Sequence, residues 1–144
     1  MASETAAILE SIVETLRSAG VFASVELGER GSATEVPRAN VLPECEETLR
    51  PDDLADARWL RLSARVILRT RADNRAEGLS RLMDLHRAAA DALLADRFRG
   101  GLCRDLPVGR ATELGRAEVA RGIRRPELEM SFPVRCHYQV QEAQ

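Results

Sequence analysis

Few residues of this chain carry the right chemistry for catalysis, and their spacing argues against it. There are two histidines and three cysteines, Cys45, Cys103 and Cys136. Cys136 and His137 are neighbours in a segment of period-two alternation, so they point to opposite faces and cannot act as nucleophile and base. Cys103 beside Arg104 has a cation to lower its pKa, yet no base accompanies it. His86 falls on the apolar face of a helical segment, where a packed core histidine is the simpler reading, and His137 falls on a polar strand face. No phosphate loop, GxSxG or HExxH occurs, and the cysteines lack zinc or disulfide spacing. The run Glu44, Glu46, Glu47, Asp52, Asp53 and Asp56 lacks the ligand spacing and turn glycine of a cation loop, so it reads as a solvated acidic loop over 44–57. These observations predict a protein that is not an enzyme and needs no metal.

The remaining charged constellation is a row of arginines. Arg61, Arg65 and Arg69 recur every four residues on one face of a strand, and Arg71 continues the row. Three readings fit. The row is a solvated face neutralised by cross-strand Glu127 and Glu129. It meets acidic residues of a neighbouring subunit, such as Glu47, Asp52 and Asp53 of the 44–56 segment. Or it binds a nucleic-acid backbone. A formal charge of −2 and the lack of a stacking aromatic on that face weigh against the last. A second arginine cluster, with Arg121, Arg124 and Arg125, lies in a glycine-containing segment, 115–126, that reads as a mobile loop.

The elements that hold these residues follow from periodicity. Leu60, Leu62, Ala64, Val66, Leu68 and Thr70 share one face of a strand over 58–71. Leu128, Met130, Phe132, Val134, Cys136, Tyr138 and Val140 share one face of a strand over 127–140. Residues 4–19 form an amphipathic helix with Ile8, Leu9, Ile12, Val13 and Leu16 inward, stopped by Gly20. Strands are predicted over 21–27, with Val21, Ala23, Val25 and Leu27 in phase, and over 36–42, between Pro37 and Pro43. Residues 28–35 form a polar loop. A helix over 75–98, ended by Gly100-Gly101, has Leu79, Leu82, Met83, His86, Ala90, Leu93 and Leu94 on one face and a Glu77–Arg81 pair outside. A weaker strand lies over 102–114.

With 144 residues, 44% of them hydrophobic, and no internal repeat, the chain is read as one α+β domain. The expected fold has two layers, with a mixed, mainly antiparallel sheet of four or five strands and two helices on one face, in the order α-β-β-β-α-β-β. All 21 basic residues are arginine, which fits a GC-rich coding sequence. No basic start followed by an apolar run is present, and no stretch approaches the roughly 20 residues needed to span a bilayer. A soluble protein made in the cytoplasm is expected.

Each alternating strand is about 13 residues long and would span about 43 Å. A domain of this size is only about 38 Å across. Such strands cross the whole domain and leave backbone groups for a partner chain to pair with. A bend or bulge at Pro133 is the alternative.

The layout resembles the tail-terminator and tail-completion proteins of long-tailed bacteriophages and prophages. The likeness is carried by ILESIVETLRSAG followed by VFASVEL, and by VPRANVLP. It continues in WLRLSARVILRTRA running into GLSRLMDLHRAAADALLAD, in RFRGGL and in LEMSFPVRCHYQV. The acidic 44–57 and arginine-rich 115–126 segments have no counterpart in that pattern. The resemblance implies a virion protein that forms a ring, typically hexameric, on the finished tail tube. Such a ring ends tube polymerisation and offers a surface to the head–tail connector protein. It implies no cofactor, and partners that are a second copy, the tail tube protein and the connector. The alternative is a small nucleic-acid-binding or regulatory α+β domain using the arginine face of 58–71.

Overall fold

The computed structural model describes residues 4–28, 35–52, 57–96, 99, 112–116 and 127–141. The elements, in chain order, are α1 (Glu4–Ser18), β1 (Ser24–Leu27), β2 (Arg38–Asp52), β3 (Ala57–Arg71), α2 (Arg75–Ala95), β4 (Thr112–Arg116) and β5 (Glu127–Gln141). This is the expected α+β order. The five strands form one sheet in the order β1-β2-β3-β5-β4. β1 pairs parallel with β2, and the other three pairings are antiparallel.

One face of the sheet builds the core. Leu60, Leu62, Ala64, Val66 and Leu68 of β3 meet Leu128, Met130, Phe132, Val134 and Cys136 of β5, and Val25, Ala39 and Val41 extend the layer. Helix α1 closes it with Ile8, Leu9, Ile12, Val13 and Leu16, the five residues its periodicity selected. It ends where expected, with Gly20 at φ 75° in the left-handed region past the last turn. Helix α2 begins at Asn74, whose side chain accepts from the Glu77 N–H at 2.8 Å.

The face of α2 is rotated from the one expected. Gly78, Leu82, Leu85, Ala89 and Leu93 are buried, whereas Met83 and Leu94 are exposed and His86 and Ala90 are half-buried. Gly78 sets that rotation. A Cβ there would come within 2.6 Å of Leu128 Cδ1, so the helix approaches β5 through a residue with no side chain. Hydrophobicity alone missed this, because a glycine does not register as core-facing. The helix ends at Ala95, earlier than the glycine pair suggested. Arg99, at φ 50°, reaches back to serve its last turn. Its Nε donates to the Asp96 carbonyl at 2.7 Å, one terminal nitrogen donates to the Leu93 carbonyl at 2.8 Å, and the other donates to Thr15 Oγ1 of α1.

The largest correction concerns β2. The segment read as a short strand over 36–42 and an acidic loop over 44–57 is one 15-residue strand reaching Asp52. Its partner explains it. β3 presents arginines to the same face, so carboxylates replace apolar residues on β2 without losing the pairing. Register shifts between Pro43 and Cys45, and between Thr48 and Arg50, scramble the alternation that would have shown it. β1 is shorter than expected, and of its four in-phase residues only Val25 is buried. The pairing of β3 with β5 runs from end to end without a register shift, so Pro133 marks no bulge. β4 takes in Gly115 and Arg116, which had been placed in a loop. The rest of the predicted 102–114 strand and the 117–126 segment, with Arg121, Arg124 and Arg125, lie outside the described residues, as do Asp53 and Cys103.

Candidate functional site

The face of the sheet opposite the helices carries the arginine row, and each member faces a carboxylate of its own chain. The cause is register. Arg61 lies opposite Glu47, Arg69 opposite Glu129 and Arg71 opposite Glu127. Glu44, the extra residue at the first β2 irregularity, reaches Arg65. The ion pairs measure 2.9 Å for Arg61–Glu47, 2.6 Å for Arg65–Glu44, 2.6 Å for Arg69–Glu129 and 3.2 Å for Arg71–Glu127. Arg38 of β2 adds a two-pronged contact to Glu127, at 2.9 and 3.0 Å.

The row grades from wet to dry. Side chains of the Arg61–Glu47 and Arg65–Glu44 pairs are 33%/51% and 35%/41% exposed. Those of Arg38–Glu127 and Arg69–Glu129 are 11%/12% and 8%/17% exposed. The dry end is knit together by Asn40, which accepts from Arg69 at 3.0 Å and donates to the Gly28 carbonyl at 2.9 Å. Further along, Arg65 donates to Ser131 Oγ at 2.9 Å, and Arg61 Nε donates to His137 Nε2 at 3.2 Å. This is the cross-strand neutralisation anticipated for Glu127 and Glu129, extended to Glu44 and Glu47. Of the acidic residues considered as a neighbouring subunit's contribution, Glu47 and Asp52 sit on the adjacent strand of the same chain. Asp52 is in β2 by its backbone. A row so compensated holds little free positive charge for a phosphate backbone.

On the helix side, near the start of α1, lies a second polar group that sequence reading missed. Tyr138 donates its hydroxyl proton to Glu46 Oε2, which also accepts from Thr5 Oγ1 at 2.8 Å. This ties β2 and β5 to the first turn of α1. Burial, and then donation to Glu46, push the Tyr138 hydroxyl up to about 12. Because the folded pKa lies above the unfolded value of 10.0, this contribution to stability is intact below pH 10 and is lost as pH rises toward 12. Tyr138 is the chain's one tyrosine, so an ultraviolet titration reads it alone. The native protein should show almost no tyrosinate at pH 10, where the denatured chain is half ionised. Equal titration of the two states would remove the Glu46–Tyr138–Thr5 contact from the account.

Past these contacts the strands continue. β1 pairs only with Arg38–Val41 of β2, and β4 only with Leu128–Ser131 of β5. Among the described residues, no strand flanks β2 from Leu42 to Asp52 or β5 from Phe132 to Gln141. Among the described residues, the far half of the sheet is thus a three-stranded ribbon, β2-β3-β5, with no further strand on either outer edge. At 15 residues each, these strands are longer than the alternation suggested, about 50 Å.

The remaining candidates are not brought together. Cys136 is buried in the core and His137 lies on the other face, as the alternation required. His86 meets Phe132 edge-on, with ring centroids 4.8 Å apart. Among the described residues, grooves of about 380 Å³ include one between α1 and α2 lined by Ser11, Thr15 and Ala92, and one beside Pro37, Thr70 and Leu85. Neither is lined by a histidine or cysteine. Among the described residues, no group of three or more His, Cys, Asp or Glu side chains could hold a metal ion, and no helix is long and apolar enough to cross a membrane. No protein-family model matches the chain, and no curated protein matches it.

Proposed function

We propose that this chain is a structural virion protein of a long-tailed phage or prophage. It forms a ring on the end of the tail tube, ends tube polymerisation and presents a surface to the head–tail connector protein. The observation that carries this reading is the three-stranded ribbon whose two outer edges pair with no further strand among the described residues. Edges of this length invite pairing with another chain unless they are occupied. The succession of helix, strands, long strand, helix and long strand is the layout that prompted the resemblance to tail terminators. The ring would consist of copies of this chain, six in the pattern of that family, and its other partner would be the tail tube protein. No cofactor enters the reading, and its place of action would be the virion tail after synthesis in the host cytoplasm.

The nucleic-acid alternative is weakened by the geometry of the arginine row, since Arg61, Arg65, Arg69 and Arg71 each have a carboxylate partner in the chain. The reading is tested by mixing the purified protein with polymerising tail tube protein and viewing the products by negative-stain electron microscopy. Rings at tube ends, with tubes that stop lengthening, are expected. Tubes that grow unchanged, without density at their ends, would overturn it.

A further inference from the structure

The two open edges differ in charge. On β2 the exposed side chains include Glu44, Glu46 and Glu47. On β5 beyond Pro133 the charged side chain is Arg135. Arg135 is exposed, and among the described residues it is the arginine of the polar face without a carboxylate partner. Arg38, Arg61, Arg65, Arg69 and Arg71 all have one. Strand direction adds a second constraint. β2 and β5 are each antiparallel to β3, so they point the same way.

A second copy in the same orientation therefore brings its β5 edge beside the β2 edge of the first as parallel neighbours. A two-fold dimer would set β2 against β2, or β5 against β5, and place like charges together. The irregularities narrow the contact. On β2 the uninterrupted run between the register shifts is Cys45–Thr48. On β5, Pro133 has no N–H to donate, so pairing begins at Val134. Cys45 and Arg135 stand in one row across the sheet, both opposite Ser63, and share a face.

We propose that the β2 edge of one copy pairs in parallel with the β5 edge of the next, through Cys45–Thr48 and the strand beyond Pro133, setting Arg135 against Glu44 and Glu47. The contact is head-to-tail, so each copy keeps one free edge of each kind and the series propagates until it closes. This pairing rests on the ring reading and specifies its interface.

Cys45 is exposed, and a disulfide can trap the contact. Within one chain, positions 45 and 135 are two strands apart, roughly 10 Å, too far for a bond. The variant R135C, treated with diamide, should give a ladder of covalent oligomers on a denaturing gel. The ladder should vanish in R135C/C45S, and R87C on the outer face of α2 should give none. The variant R135E should melt as the wild type does but assemble only at tenfold higher concentration or more. Wild-type dimers through Cys45 alone, or R135C dimers that survive C45S, would overturn the pairing in favour of a two-fold contact. Rings that form normally yet trap no cross-link in R135C would overturn it while leaving the ring reading standing. A wild-type protein that stays monomeric both alone and with polymerising tail tube protein would overturn both.

Discussion

A Glu127→Ala variant is expected to lose about 3–5 kcal/mol of folding stability, the usual cost of removing one partner of a buried ion pair. Glu127 holds Arg38 through both carboxylate oxygens and also receives Arg71. Its removal strands two guanidinium groups at the dry end of the polar face, where Asn40 and Arg69 are already committed to each other. The Glu47→Ala change at the wet end removes a pair of similar length and should cost less than about 1 kcal/mol, because water can replace the lost carboxylate. Urea denaturation of the two variants beside wild type measures the contrast. Equal, small losses would show that the whole face is solvated and that the gradient of burial has no energetic meaning.

The second large effect is in the core. Phe132 is fully buried on β5, with His86 edge-on to its ring. A Phe132→Ala substitution should cost about 3–5 kcal/mol, the transfer free energy plus the cavity left behind. Of this, the aromatic pairing accounts for about 0.5–1.5 kcal/mol. Thermal unfolding followed by circular dichroism checks it, and a loss below about 1 kcal/mol would mean that α2 can settle onto β5 after the ring is removed. Glu127 begins β5 and Phe132 precedes Pro133, so both substitutions lie outside the Cys45–Thr48 run and the stretch beyond Pro133. Each variant should therefore still assemble at temperatures where it remains folded.

The core layer and element order were legible because one-sided burial writes itself into period-two and period-3.6 patterns. The Leu60–Thr70 face and the five inward residues of α1 are examples. What stayed hidden depended on partners distant in sequence. β2 looked like a loop because its carboxylates answer arginines on β3, and pairing between charged strands leaves no hydrophobic alternation to detect. The sign that could have found it was the match between Glu44 and Glu47 on one side and Arg61 and Arg65 on the other. Gly78 was invisible for the opposite reason, since what matters there is the absence of a side chain. The Glu46–Tyr138–Thr5 contact joins three elements and has no local signature. Of the three readings open for the arginine row, neutralisation by cross-strand Glu127 and Glu129 describes the contacts of Arg69 and Arg71, and Glu44 and Glu47 of β2, which the subunit reading had set on a neighbour or left in a loop, do the same for Arg65 and Arg61. Arg135 was seen only as one more polar residue of β5. That no carboxylate among the described residues pairs with it stands out only against the pairs of Arg38, Arg61, Arg65, Arg69 and Arg71.

If pairing along the edges of the β2-β3-β5 ribbon drives assembly, copies of this chain close into a ring. Native mass spectrometry of the purified wild-type protein, over a range of concentrations, tests it most directly. One dominant species is expected, with a mass that is a fixed integer multiple of the 15.9 kDa protomer and does not grow as concentration rises. A protein that remains at 15.9 kDa at every concentration, or one that forms an open-ended series of sizes, would contradict it.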